Sequence, residues 1–217
     1  IIDNTEVAQM VDQQFSLDIR WSELMSLGDY DSYDFFTPNT IGGGGIQSVI
    51  QATVSGEVLT CPENCVTKIT EFIRSAEDEV LLSQQTLDVD WSYGWGDENP
   101  IIAALHDVAN NGVGVHLIIN GAYLDDDDQE VVDLFNEIWN GTEGLDASAI
   151  VMSEDDDVSK LHNKGIIVDG ESVLVSSINM GSSAMNRNRE MGIIIHSPAV
   201  TQFYLDAWHV DWNRLDN

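Results

Sequence analysis

Residues 161–170 read LHNKGIIVDG, and SVLVSSI follows at 172–178. Two short β-branched runs around an Asp-Gly pair fold into a β-hairpin and little else. The expected strands are residues 160–168 and 172–178, with Asp169-Gly170 at the turn. Side chains alternate faces along a strand, so His162 and Lys164 share one face, and Ser177 and Asn179 share one face of the second strand. A loop of two residues, Gly170 and Glu171, sets His162 opposite Asn179 and Lys164 opposite Ser177. The hairpin would then gather an imidazole, an ammonium, a hydroxyl and an amide on one side.

That set of groups suits a phosphate. Donors meet the non-bridging oxygens, and a further group attacks phosphorus or protonates the leaving oxygen. Histidine serves either role because its pKa lies near neutrality. It does so better when a carboxylate holds one ring nitrogen and fixes the tautomer. Glu190, at the head of an expected strand over residues 191–195, is the candidate for that carboxylate. Asp169 closes the first strand at a turn, where capping is at least as ready a role as chemistry. The spacing of His162, Lys164 and Asp169 is H-x-K-x4-D. With five His, three Lys and 24 Asp in 217 residues, this spacing arises by chance about 0.008 times. An isolated histidine would be read as a core residue; the joint pattern argues otherwise.

The motif, the VLVSSINMG after it and the NRNREMGIII beyond resemble the phospholipase D superfamily, whose members cleave or exchange phosphodiesters through paired H-x-K-x4-D motifs. The resemblance spans residues 61–212 and is strongest over 161–195. It implies an α/β fold, with a mixed β-sheet flanked by helices on both faces. It implies a two-step displacement through a phosphohistidine, with no cofactor, and in most members no metal. By resemblance, His162 is the general acid and base, Lys164 and Asn179 hold phosphate oxygens, Ser177 assists, and Glu190 (in Asn188-Arg189-Glu190, matching the family's N-x-E) orients His162. Asp169 completes the motif and is carried with the catalytic set. Members often have Gly-Ser before the asparagine; this chain has Ser176-Ser177.

Charge narrows the setting. Thirty-eight acids against eight bases give a net charge of −30, while 43% of residues are hydrophobic. A disordered acidic chain would lack that apolar content. The composition fits a folded protein from a very salty environment, where screening lengths shrink to about 3 Å near 1 M salt and self-repulsion costs little. The acidic run at residues 125–128 lacks the spacing of an EF-hand loop and reads as a solvated helix start. Lys160, Lys164, Arg187 and Arg189 are half of all the bases and fall within 30 residues, framing the candidate site. Cys61 and Cys65, in CPENC, are too few for a structural zinc site, and a disulfide between them requires a tight turn. A disulfide there, with the sequon Asn140-Gly141-Thr142, points to an extracellular or membrane-associated protein over a cytoplasmic one.

The start and the end of the chain are alike. At an offset of 193, Ile1, Ile2, Val7, Gln9 and Asp18 match Ile194, Ile195, Val200, Gln202 and Asp211. Residues 1–21 are therefore expected to be the tail of a preceding lobe, 22–45 an inter-lobe linker closed by four glycines, and 46–217 a C-terminal lobe with one catalytic motif. Within that lobe, strands are expected at 46–54, 80–84, 113–119 and 149–152, and helices at 65–76, 100–110, 129–139 and 198–212. Trp91, Tyr93 and Trp95 form an aromatic loop that faces lipid, substrate or the preceding lobe.

Three functions follow. The first is a phospholipid hydrolase or phosphatidyltransferase, including cardiolipin-synthase-like exchange, that touches a membrane surface. The second is a nuclease of the same superfamily, which needs a basic track for nucleic acid. The third is a catalytically inactive structural lobe. The expected partners are a phosphodiester substrate, the N-terminal lobe of the same parent chain, or a second copy of the isolated fragment. One physical outcome is common to all three. Lowering KCl from molar to tens of millimolar should loosen the fold, seen as loss of a cooperative unfolding transition by circular dichroism.

Overall fold

The computed structural model describes residues 8–9, 11–13, 54–91, 99–122, 126–152 and 160–215. Two compact units divide the chain, Ile1–Gln51 and Ala52–Asn217. In the first, residues 8–9 and 11–13 are helical. The rest of the expected tail at 1–21, the expected linker at 22–45, the expected strand over 46–53 and the aromatic loop beyond Trp91 lie outside the described residues.

The second unit is an α/β domain. Its elements are β1 (Ser55–Cys61), α1 (Cys65–Arg74), β2 (Glu79–Gln84), α2 (Pro100–Ala109), β3 (Gly114–Asn120), α3 (Asp126–Asp133, running on as a π-turn at Leu134–Trp139), β4 (Ala147–Met152), β5 (Lys164–Val168), β6 (Ser172–Ser176), α4 (Ser182–Asn186), β7 (Glu190–His196) and α5 (Pro198–Leu215). The strands form one sheet in the order β1-β7-β6-β5-β2-β3-β4. β2, β3 and β4 are parallel, as their crossover helices require, and the other pairs are antiparallel. The expected mixed sheet with helices on both faces is the fold observed.

Apolar alternation decides which helix goes where. Val80, Leu82, Ile166, Val168, Leu174 and Ile194 point to one face and pack with Ile69, Ile73, Ile101 and Leu105 of α1 and α2. Leu81, Ile167, Val173 and Ile195 point to the other face and meet Trp208 of α5. Local signals start and stop the helices. Asn99 caps α2 by accepting from the Ile101 N–H at 2.9 Å, and Pro100 occupies the first helical position. Strand β1 and the short α4 had no counterpart in the sequence reading. Among the described residues no helix is long and apolar enough to cross a membrane.

The hairpin forms, but with a longer turn than expected. Val168 pairs with Ser172, so Asp169, Gly170 and Glu171 make a three-residue loop. Asp169 (φ 53°) and Gly170 (φ 63°) both take the left-handed conformation, which Asp tolerates and Gly prefers. The extra residue shifts the register by one. Gly165 faces Val175, which puts Lys164 opposite Ser176 rather than Ser177.

Asp169 itself sits at the far end of β5. The five residues of that strand, at roughly 3.3 Å each, separate it from His162 by on the order of 15 Å. Its carboxylate accepts from the backbone N–H groups of Glu77 (3.0 Å), Asp78 (2.8 Å) and Glu79 (2.9 Å). The structure thus removes Asp169 from the chemical cluster and gives it a capping task at the start of β2. Asp169→Ala should cost about 1–3 kcal/mol, from three lost acceptor contacts and from replacing Asp by a residue that tolerates positive φ less well. Asp169→Gly, which keeps the backbone freedom, should cost less. Urea unfolding in molar KCl measures both.

Candidate active site

One edge of the sheet collects the polar residues. The carboxyl ends of β1, β2, β3 and β6 meet the amino ends of β5 and β7 there, as the pairs Gln84 with Lys164 and Cys61 with Glu190 show. In open α/β sheets ligands bind outside the carboxyl ends of the parallel strands. The approach to β5 is pinned by Asn120, the last residue of β3, which is 2% exposed and accepts from the Leu161 N–H at 3.1 Å. His162 therefore leaves a fixed point and stands exposed at the edge.

Lys164 begins β5 and is buried. Its Nζ donates to Gln85 Oε1 at 2.5 Å and to the His162 carbonyl at 2.9 Å. Burial pushes its pKa down, Lys160 pushes it further, and the Glu190 carboxylate offsets part of this. The His162 imidazole is also held below the ordinary histidine value, first by the charge of Lys164, then by desolvation and by Lys160. A lowered histidine pKa means that the neutral ring, able to take a proton or attack phosphorus, persists to more acid pH than usual.

Glu190 is placed otherwise than expected. Its carboxylate accepts from the Ser177 hydroxyl and, at 3.3 Å, from Asn188 Nδ2. The His162 ring makes no hydrogen bond among the described residues. The cause is local: Ser177 donates its N–H to the Met191 carbonyl at 2.9 Å, which lays its hydroxyl alongside Glu190. Ser177 and Glu190 are thus brought together, and Glu190 lies close enough to act on Lys164 through its charge. Among the described residues Asn179 makes no hydrogen bond to Lys164. It lines a cavity of about 450 Å³ with Thr86, Trp91 and Asn188, and its buried Oδ1 has no hydrogen-bond partner among the described residues.

Ser176, which stands where the family often has glycine, is accommodated. Its hydroxyl donates to the Lys164 carbonyl at 2.8 Å and accepts from the Ile178 N–H at 3.3 Å. Across the sheet it faces Gly192, where an added Cβ would come within 2.8 Å of Ser176 Cβ.

Of the four clustered bases, Arg189 is engaged elsewhere: it binds Glu63 and donates to the Cys61 carbonyl at 2.9 Å. Lys160 acts on His162 and Lys164 through its charge. Cys61 and Cys65 are joined as a disulfide with Cα atoms 5.1 Å apart, which closes the turn between β1 and α1 beside Glu190. Among the described residues no three His, Cys, Asp or Glu side chains converge as a metal site.

Gln85 and Asn120 went unnoticed in the sequence. Asn120 ends β3 and Gln85 follows the last residue of β2, each an amide at the carboxyl end of an apolar strand, and that position was the available signal.

The description "Cardiolipin synthase, PLD-like domain" belongs to the family model that matches residues 69–212. The chain belongs to that phospholipase D-like family. A phospholipase D from Rickettsia bellii is 26% identical over 155 residues, covering 70% of this chain and 67% of that protein. The chain spans about two thirds of the length of such relatives. Among solved structures, the phospholipase D family member Nuc from Salmonella typhimurium superposes with a TM-score of 0.61 at 22% identity, over 75% of this chain and 96% of its own. The phosphatidylserine synthase of Haemophilus influenzae gives 0.51 at 14% identity, over 75% of this chain and 39% of its own. These two likenesses are likenesses of fold.

Lys164→Met removes the charge that holds the His162 pKa down. The imidazole should then titrate at higher pH than in the wild type. Heteronuclear NMR titration of the His162 ring in molar KCl reads the shift.

Proposed function

We propose that this chain carries one half of the active site of a phosphodiesterase of the phospholipase D superfamily, acting on phospholipid head groups by hydrolysis or exchange. The observation that carries the reading is the pairing, at the carboxyl ends of the parallel strands, of an exposed histidine of lowered pKa with a buried lysine. The family match over residues 69–212 supports the same chemistry.

In the proposed reaction a histidine nitrogen attacks phosphorus. The bond from phosphorus to the leaving oxygen breaks, and a second histidine gives that oxygen its proton. Water or an alcohol then attacks the phosphohistidine, passing its proton to the second histidine as the P–N bond breaks. His162 is the acid and base, and the complementary histidine comes from the preceding lobe or from a second copy of this chain. Lys164, already desolvated, stabilises charge on the non-bridging oxygens more strongly than an exposed lysine would. Ser177 and Glu190 act as a unit beside it. Asn179 would contribute to the phosphate contacts through its Nδ2, which donates, and not through its Oδ1.

Lipid is preferred over nucleic acid because a polyanionic backbone requires a basic track. A chain of net charge −30, with its bases gathered near one site, offers none. The lipid reading also accords with an exported or membrane-surface setting.

The test uses the full-length parent and its His162→Ala variant in molar KCl, with mixed phospholipid vesicles and, separately, single- and double-stranded DNA. Head-group release or exchange should fall by roughly 10²–10⁴-fold in the variant. The acid limb of kcat/KM in the parent should lie below the ordinary histidine pKa. DNA cleavage that disappears with His162 would replace this reading with the nuclease. Silence on every substrate would leave the inactive lobe. The isolated 217-residue chain should turn over only where light scattering detects a dimer.

A further inference from the structure

Among the described residues Lys164 is the only basic side chain that is buried. Elsewhere in the fold Lys68 binds Glu57, Arg74 binds Asp107 and Arg189 binds Glu63. With 38 acids against eight bases, a carboxylate is the abundant partner. Lys164 departs from this. Its Nζ donates to two uncharged acceptors, Gln85 Oε1 at 2.5 Å and the His162 carbonyl at 2.9 Å, and no carboxylate among the described residues forms an ion pair with it. Glu190 acts on it through its charge, while the Glu190 carboxylate is engaged by Ser177 and Asn188. A buried charge is ordinarily paired, because removing it from water without a counter-ion is costly. Departures of that kind gather at functional sites.

Gln85 is delivered to the ammonium by fixed neighbours. Before it, Gln84 pairs with Lys164 across the sheet and donates to the Gly165 carbonyl at 3.1 Å. After it, the Thr86 carbonyl accepts from the Met180 N–H at 3.2 Å. The amide oxygen thus meets Lys164 from a segment tied on both sides.

We infer that Gln85 is a positioning residue, whose neutral amide oxygen fixes the Lys164 ammonium and leaves its positive charge uncompensated for an incoming anion. A side-chain amide does both. A carboxylate of the same shape would accept the same hydrogen bond but cancel the charge. An apolar side chain of the same length would leave the charge but not hold it. That the anion is a phosphodiester rests on the phosphodiesterase reading; the neutral clamp does not.

Gln85→Glu separates the two properties, because it keeps size and acceptor and adds only a charge. Gln85→Met keeps length and loses the acceptor. Both are made in the 217-residue chain and studied in molar KCl. The His162 ring is the reporter. It faces Lys164 and Lys160, and Asp211 of α5 lines the same cavity. In Gln85→Glu the ring should titrate at higher pH than in the wild type, because the Lys164 charge that holds it down is offset. In Gln85→Met it should titrate near the wild-type pH. Inorganic phosphate, followed by the ring resonances at a pH where the imidazole is neutral in all three proteins, should bind roughly tenfold or more weakly in both variants. Gln85→Glu should be no less stable to urea than the wild type, since the buried ammonium gains a counter-ion.

Wild-type titration or wild-type phosphate affinity in Gln85→Glu would overturn the proposal. So would wild-type phosphate affinity in Gln85→Met, or a Gln85→Glu variant less stable than the wild type. In the full-length parent, kcat/KM should fall roughly tenfold or more in both variants, mainly through kcat, and its acid limb should move up only in Gln85→Glu. Turnover that survives His162→Ala sinks the phosphodiesterase reading and leaves the clamp standing, since titration and phosphate binding are read without turnover. Turnover that is lost in His162→Ala but unchanged in Gln85→Glu sinks the clamp and leaves that reading.

Discussion

The Asp169 carboxylate, shared among the backbone N–H groups of Glu77, Asp78 and Glu79, ties the turn after β5 to the start of β2. These two strands are where the antiparallel half of the sheet joins the parallel half. Fixing them at that end fixes their pairing along their whole length, through Leu82 with Ile166 to Gln84 with Lys164. At the far end Gln84 donates to the Gly165 carbonyl at 3.1 Å, and Gln85 receives the Lys164 ammonium. The position of the lysine that would meet phosphate is thus set partly by a carboxylate at the other end of its strand. The H-x-K-x4-D spacing is, in this light, a strand length with chemistry at one end and its anchor at the other.

Much of this was legible in the sequence. The β-branched runs on either side of Asp169-Gly170 specified a hairpin, and the motif on it pointed to the family. The turn length was not legible. An Asp-Gly pair serves two-residue and three-residue loops alike, and only the pairing across the sheet chooses between them. That single residue carried the error from Ser176 to Ser177. The partner of Glu190 was hidden for a related reason. Ser177 and Glu190 are 13 residues apart with α4 between them, and their meeting depends on how β7 lies against β6. Asn120 and Gln85 act through contacts 41 and 79 residues distant in the chain, which no local pattern encodes.

The electrostatic setting of the site runs against that of the molecule. The chain is strongly acidic, yet Lys160 is close enough to lower the proton affinity of Lys164 and of His162, and Lys164 lowers that of His162. A local positive centre inside a negative shell attracts an anion only once it is near. At high salt the shell is screened over a few ångströms and stops repelling. The buried part of Lys164 is screened much less. Salt should therefore separate the two fields, quieting the surface and leaving the site its charge.

The three-residue turn has a consequence for how such a protein can change. A slip of one residue in the pairing of β6 with β5 would exchange every side chain of β6 between its two faces, moving Leu174 out of one core and Val173 out of the other. A change of loop length that keeps Val168 opposite Ser172 leaves those faces as they are. The turn is therefore free to vary in length only while that one pair is held.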